Sequence, residues 1–152
     1  MIRAAIAEAR VYQSWLACQT ALRRAVAPLT AEQLRHRPIP GRRTPGEVAE
    51  HIVFGRALHL HRALGEAVPT VTPFLSWEAA DPCRSAHEIV QGLEVTWQAI
   101  VGCVMRGAPM DDIPMGAEVS MQVIWGLLDH DLPHAGQLSL VLRASGLPGV
   151  EI

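Results

Sequence analysis

The sequence predicts an all-α fold, a bundle of four long helices. Apolar residues recur at three- and four-residue spacing in four extended segments, and no stretch alternates as a half-buried strand does. Capping boxes and glycine or proline stops bound those segments, as helix termini require.

The first helix is expected from about Ile2 to Val26, on a stripe of Ile2, Ile6, Ala9, Tyr12, Leu16, Gln19, Leu22 and Val26, with Pro28 ending it. Thr30-Ala-Glu-Gln33 has the spacing of a capping box for one short turn. The second long helix has Thr44 as N-cap, Pro45 at the first helical position and Glu47 reaching back to the cap. It runs to about Leu64, before Gly65. Ser85-Ala-His-Glu88 opens the third, whose stripe is Ile89, Leu93, Trp97, Ile100 and Val104; Gly107 and Pro109 stop it. The fourth is expected from near Ser120 to Ser145. There Gly146 suits a left-handed position, Leu147 packs back on Leu142 and Pro148 prevents continuation. Between the second and third helices, Ala67 to Arg84 carries Pro69, Pro73 and Pro82 and cannot be helical throughout. At about eighteen residues it is longer than a turn between antiparallel neighbours, which predicts a crossover along the bundle.

Composition narrows the function classes. The chain of 152 residues is 49% hydrophobic and 18% charged, the balance of a single globular domain over residues 1–152, with no internal repeat or low-complexity tract. A formal net charge of −2 gives no basis for binding nucleic acid. All thirteen basic residues are Arg, a pattern that codon bias in a GC-rich genome explains. Arg3, Glu8 and Arg10 interrupt the apolar residues at the N-terminus, unlike a signal peptide, and no segment is apolar enough to span a bilayer. Cys18, Cys83 and Cys103 are odd in number and widely spaced, so they read as reduced thiols; the expected location is the cytoplasm.

The chemistry lies in the seven histidines. His130 and His134 are four apart, so both rings leave one helix on the same face, which also carries Val123, Leu127, Gln137, Leu138 and Val141. His51 falls on the inward side of the second helix among Val48, Ile52, Gly55 and Leu58. Imidazoles from two facing helices could form three corners of a metal site for Zn, Ni or Fe, with one position open to water or substrate. Satisfied core histidines are the alternative. Glu47, one turn before His51, is the candidate catalytic acid–base residue, although the capping box is the simpler role for it. Asp131 and Gln137 flank His134 and could orient the ligand rings, with surface solvation equally open to Asp131. Glu50 and Asp129 are expected to be solvated, His36 and His87 to be surface residues, and His59 to pack partly buried. Arg35, Arg37, Arg42 and Arg43 could draw in a carboxylate-bearing molecule or could be a solvated loop. Trp15, Trp77, Trp97 and Trp125 are expected in the core or an interface, and Cys18 and Cys103 make weak nucleophiles.

The segment Trp125-Gly-Leu-Leu-Asp-His130-Asp-Leu-Pro-His134-Ala-Gly-Gln137-Leu resembles the last helix of the DinB/YfiT-like superfamily, and Arg43-Thr-Pro-Gly-Glu47-Val-Ala-Glu-His51-Ile-Val its second. With Leu29-Thr-Ala-Glu-Gln-Leu34 and Arg37-Pro-Ile-Pro-Gly41, the similarity spans nearly the whole chain; the DNA polymerase that shares the name is unrelated. The resemblance implies a bacterial four-helix bundle in up-down-down-up order, with the crossover between helices two and three. It also implies a divalent metal on His51, His130 and His134, and a homodimer. Relatives include transferases and isomerases that use low-molecular-weight thiols. A small-thiol S-transferase is therefore the leading functional expectation, ahead of a metal-dependent hydrolase and a non-catalytic metal- or ligand-binding dimer. Members often carry a further His where this chain has Pro133. Proline there removes the bond to the Asp129 carbonyl, which predicts a kink between the two ligands.

Overall fold

The computed structural model describes the backbone of residues 2–79, 84–105 and 116–152, and the side chains within 10–77, 84–103 and 123–152. Helix α1 spans Ile2–Val26, α2 Ala31–Arg35, α3 Pro45–Leu64, α4 Ala86–Met105 and α5 Gly116–Ala144. Among the described residues there is no strand, and no helix is long and apolar enough to cross a membrane. The expected third-helix stop at Gly107 and Pro109, and Cys83, lie outside the described residues.

Local chemistry sets the helix ends as the sequence predicts. Thr30 Oγ1 accepts from the Gln33 amide while the Gln33 side chain accepts from the Thr30 amide. Thr44 and Glu47 make the same reciprocal pair at α3, and Ser85 and Glu88 do so at α4. Each satisfies two otherwise orphaned backbone donors. Gly65 and Gly146, at φ 54° and 73°, terminate α3 and α5, and the Leu147 amide donates to the Leu142 carbonyl at 3.0 Å. Helix α5 begins at Gly116, earlier than the expected start near Ser120. Ala117 and Glu118 are good helix formers, and so extend the helix beyond the apolar stripe that marked it.

Contacts along the helices give their directions. Trp97 of α4 stacks on Tyr12 and meets Trp15 edge-on, while Glu94, a turn earlier, pairs with Arg23; α1 and α4 are antiparallel. Glu50 meets Arg84 and Arg56 meets Leu93, so α3 and α4 are parallel. His51 faces His134 and His59 faces His130, which sets α5 antiparallel to α3. The order is up-down-down-up.

Parallel neighbours need the long crossover, and it is not a loose loop. It coils as 3-10 helix over Gly65–Ala67 and Pro69–Ala79, burying Val68, Val71 and Trp77. Trp77 packs so closely on α4 that a Cβ at Gly92 would lie 2.7 Å from its ring, and the Arg84 guanidinium covers that ring at 4.2 Å.

The core has two apolar clusters. One gathers Cys18, Leu22, Ile52, Leu138 and Leu142, the other Trp15, Trp97, Leu60 and Leu127. A polar layer of Gln19, Arg56 and Asp131, each 2% exposed or less, lies between them. Arg56 grips the Asp131 carboxylate through Nε at 2.9 and 3.1 Å and Nη2 at 2.8 Å, and donates from Nη1 to Gln19 Oε1 at 2.8 Å. Trp15 Nε1 donates to the same carboxylate at 2.9 Å, and Gln19 Nε2 to the Leu93 carbonyl at 3.1 Å. A buried charge pair is tolerable when most of its hydrogen-bonding capacity is met, as here through Nε, Nη1 and Trp15; Arg56 Nη2 contributes an ion-pair contact without an aligned hydrogen bond.

Candidate metal centre

Helix α3 presents His51, Gly55 and His59 at successive turns, and α5 presents His134, His130 and Gly126 in the opposite direction. Each glycine faces an imidazole from the other helix. A Cβ at Gly55 would lie 2.0 Å from His130 Nε2, and one at Gly126 would lie 3.6 Å from His59 Nδ1. The missing side chain at Gly55 is what lets the His130 ring approach α3.

The result is a cluster. The His51 ring centroid is 5.3 Å from that of His130 and 4.5 Å from that of His134, and the latter two are 4.6 Å apart. One ligand atom from each of the three lies within 4.8 Å of the others. Metal–nitrogen bonds of about 2.1 Å hold ligand nitrogens about 3.4 Å apart, so imidazoles gathered this closely are within reach of one ion.

Neighbouring groups prepare the rings. His134 Nδ1 donates to Gln137 Oε1 at 2.9 Å, the orienting role expected of Gln137, and leaves Nε2 as acceptor. His130 Nδ1 lies 3.4 Å from Asp131 Oδ1, and its Nε2 is buried with no hydrogen-bond partner. Such an orphaned nitrogen costs about 1–3 kcal/mol, a penalty that a bound cation removes. Burial, then the charges of Arg43, His134 and His130, lowers the His51 pKa to about 4. Burial also leads the lowering at His134 and His59. Rings with depressed pKa values keep their lone pairs at neutral pH, as metal ligation requires. The donor set therefore fits a metal ion.

A family model for the DinB superfamily matches residues 14–138. The chain belongs to the DinB superfamily. No curated protein and no solved structure matches it. Superfamily membership and the three-histidine cluster together fit a metal-binding protein.

Several expectations for this DinB-superfamily chain change once the helices are packed. Asp131 is fully buried, not solvated: α1 and α3 supply Trp15 and Arg56, which outweigh the desolvation that would raise its pKa and hold it below the usual carboxylate range. The ring it contacts is that of His130, not His134. Glu50 is also buried rather than solvated, because its carboxylate accepts from the Arg84 backbone amide at 2.6 Å and from the Arg84 guanidinium at 3.2 Å. Pro133 lies inside α5, with helix on both sides of it, and His134 is within the cluster. Asp129, His36 and His87 are exposed, and His59 is half-buried with its ring 5.6 Å from that of His130. Trp15, Trp77 and Trp97 are buried, whereas Trp125 is 56% exposed. Burial pushes the Cys18 thiol to about 11, so it is no thiolate at neutral pH.

Glu47 lies on the wall of a cleft of about 400 Å³ that also exposes His51. Its Oε2 accepts from the Thr44 amide at 2.7 Å and its Oε1 from Arg37 at 2.8 Å. Burial works against ionisation, but the Thr44 amide and Arg37 outweigh it and lower the pKa.

Arg56, the partner on which Asp131 depends, escaped the sequence reading. Its signal is a lone charge inside the apolar run Ile52-Val-Phe-Gly-Arg-Ala-Leu58.

Proposed function

We propose that the protein binds one divalent metal through His51, His130 and His134 and acts as a small-thiol S-transferase. The observation that carries the metal reading is the buried, unpartnered Nε2 of His130 within a three-imidazole cluster. When bound, such an ion supplies a Lewis acid that favours the thiolate of a small thiol over the thiol.

The chain's own residues do the rest. Gln137 and Asp131 fix the His134 and His130 rings, and the Arg56–Asp131 pair ties that arrangement to α1 and α3. The cleft beside His51 gives a small molecule access. Transfer from a metal-activated thiol needs no side-chain base, since an ion that acidifies the thiol would let its proton pass to solvent. That requirement favours it over hydrolysis with Glu47 as base, since both Glu47 oxygens are engaged and its pKa is lowered. A homodimer belongs to the same reading, supported by the outward apolar stripe of Trp125, Leu132 and Leu140 on α5.

Metal analysis of the purified protein tests the proposal. Wild type is expected to carry about one ion per chain and the His130→Ala variant almost none. The metal-loaded wild type is then expected to consume a small thiol with a generic electrophile, and the metal-free form not to. Equal metal content in both proteins would remove the centre. Metal-independent thiol consumption would remove the transferase.

A further inference from the structure

The loop before α3 holds more positive charge than the fold uses. Gly41, at φ 75°, turns the chain there, and the Arg42 amide donates to the Ile39 carbonyl at 3.1 Å. Arg37 is structurally engaged: one guanidinium nitrogen pairs with Glu47 at 2.8 Å and another donates to the Arg42 carbonyl, which fastens the loop to α3. Arg42 and Arg43 are different. Both are exposed, and neither side chain makes a hydrogen bond or ion pair among the described residues.

Their placement is not that of arginines on an open surface. Both line the cleft of about 400 Å³ that contains His51 and Trp77, and both also line a second recess of about 230 Å³ with Gln137 and Val141. The two recesses therefore meet at these guanidiniums, one reaching a candidate metal ligand and the other the residue that orients His134. The acidic residues of the larger cleft do not cancel the charge, because Glu47 is paired with Arg37 and Glu50 with Arg84. Two positive charges are left over in the wall.

We propose that Arg42 and Arg43 form an anion-binding subsite beside the three-histidine centre. It receives the carboxylate end of a small acidic molecule whose other end reaches His51, His130 and His134. The inference rests on the metal reading above and adds the substrate class to it: the preferred thiol or electrophile bears carboxylates. A guanidinium suits that task because its planar fork donates two parallel hydrogen bonds to one carboxylate, which a point charge cannot do.

The test uses cobalt-substituted full-length protein and two probes, mercaptosuccinate, which carries two carboxylates, and the neutral 2-mercaptoethanol. Both are titrated by the change they cause in the cobalt spectrum, in wild type and in an Arg42→Gln/Arg43→Gln variant. Both substitutions are at exposed positions away from the core, and circular dichroism checks that the variant is folded. The variant is expected to bind mercaptosuccinate at least about ten-fold more weakly while its affinity for 2-mercaptoethanol stays within about two-fold. Added salt is expected to weaken only the wild-type mercaptosuccinate complex, as screening of an accessible ion pair requires. Equal weakening of both thiols, or of neither, overturns the subsite while leaving the metal centre standing. A wild type that takes up no cobalt overturns the metal reading and the subsite with it, a result distinct from the other two.

Discussion

Gly55→Ala should separate metal binding from folding. Gly55 lies one turn beyond His51 on α3, where the His130 ring crosses, and an ideal Cβ there falls 2.0 Å from Nε2, 2.1 Å from Cε1 and 2.8 Å from Cδ2. Non-bonded carbon contacts sit near 3.5–4.0 Å, so the ring must withdraw by about 1.5 Å. It has little freedom to compensate, since its side chain is only 12% exposed and Nδ1 faces the locked carboxylate of Asp131. Overpacking costs about 1–3 kcal/mol, and alanine for a helix-interior glycine returns about 1 kcal/mol, so the variant should fold with a net change within about 2 kcal/mol. Loss of an orienting partner alone costs a metal site about 10–100-fold in affinity; displacing a ligand should cost at least about 100-fold. Competition against a chromophoric chelator measures the affinity and thermal unfolding measures the fold. Gly136→Ala is the control, because that position on α5 is exposed and a Cβ would meet nothing within 4 Å. It should keep full affinity. A Gly55→Ala protein with wild-type stoichiometry and affinity would refute the placement of His130 as a ligand.

Asp131→Asn keeps the shape of the buried layer but leaves Arg56, 0% exposed, without a counter-charge; urea unfolding should show a loss of about 3–5 kcal/mol, and a loss under about 1 kcal/mol would contradict the pairing. The metal-free protein should also lose stability as pH falls from about 6.5 towards about 4. In that window the unfolded chain protonates His51 while the folded chain keeps it neutral, so unfolding takes up protons and acid favours it. A His51→Gln variant should show a shallower decline in its urea midpoint over the same window, and an unchanged slope would disprove the assignment.

The histidine cluster was legible because four-residue spacing fixes a shared face within one helix, and apolar neighbours mark that face as inward. His51, His130 and His134 satisfy both conditions, and the rings do meet. The ends of α2, α3 and α4 were legible for the same kind of reason, since a capping box is written within four residues. Asp131 was not legible. It follows His130 directly, so helical spacing alone turns it off the ligand face and leaves solvent as an equal outcome.

By itself, then, the sequence determined what depends on near neighbours along the chain: the helices, their caps and the direction in which each imidazole leaves its backbone. Tertiary structure alone decided what depends on two or more helices at once. Trp15 on α1 and Arg56 on α3 turn Asp131 into a buried ion, Arg84 draws Glu50 inward, and the bare backbone of Gly55 makes room for His130. The physical reason is that burial of a charge is set by partners remote in sequence, and periodicity carries no record of which remote residue will arrive.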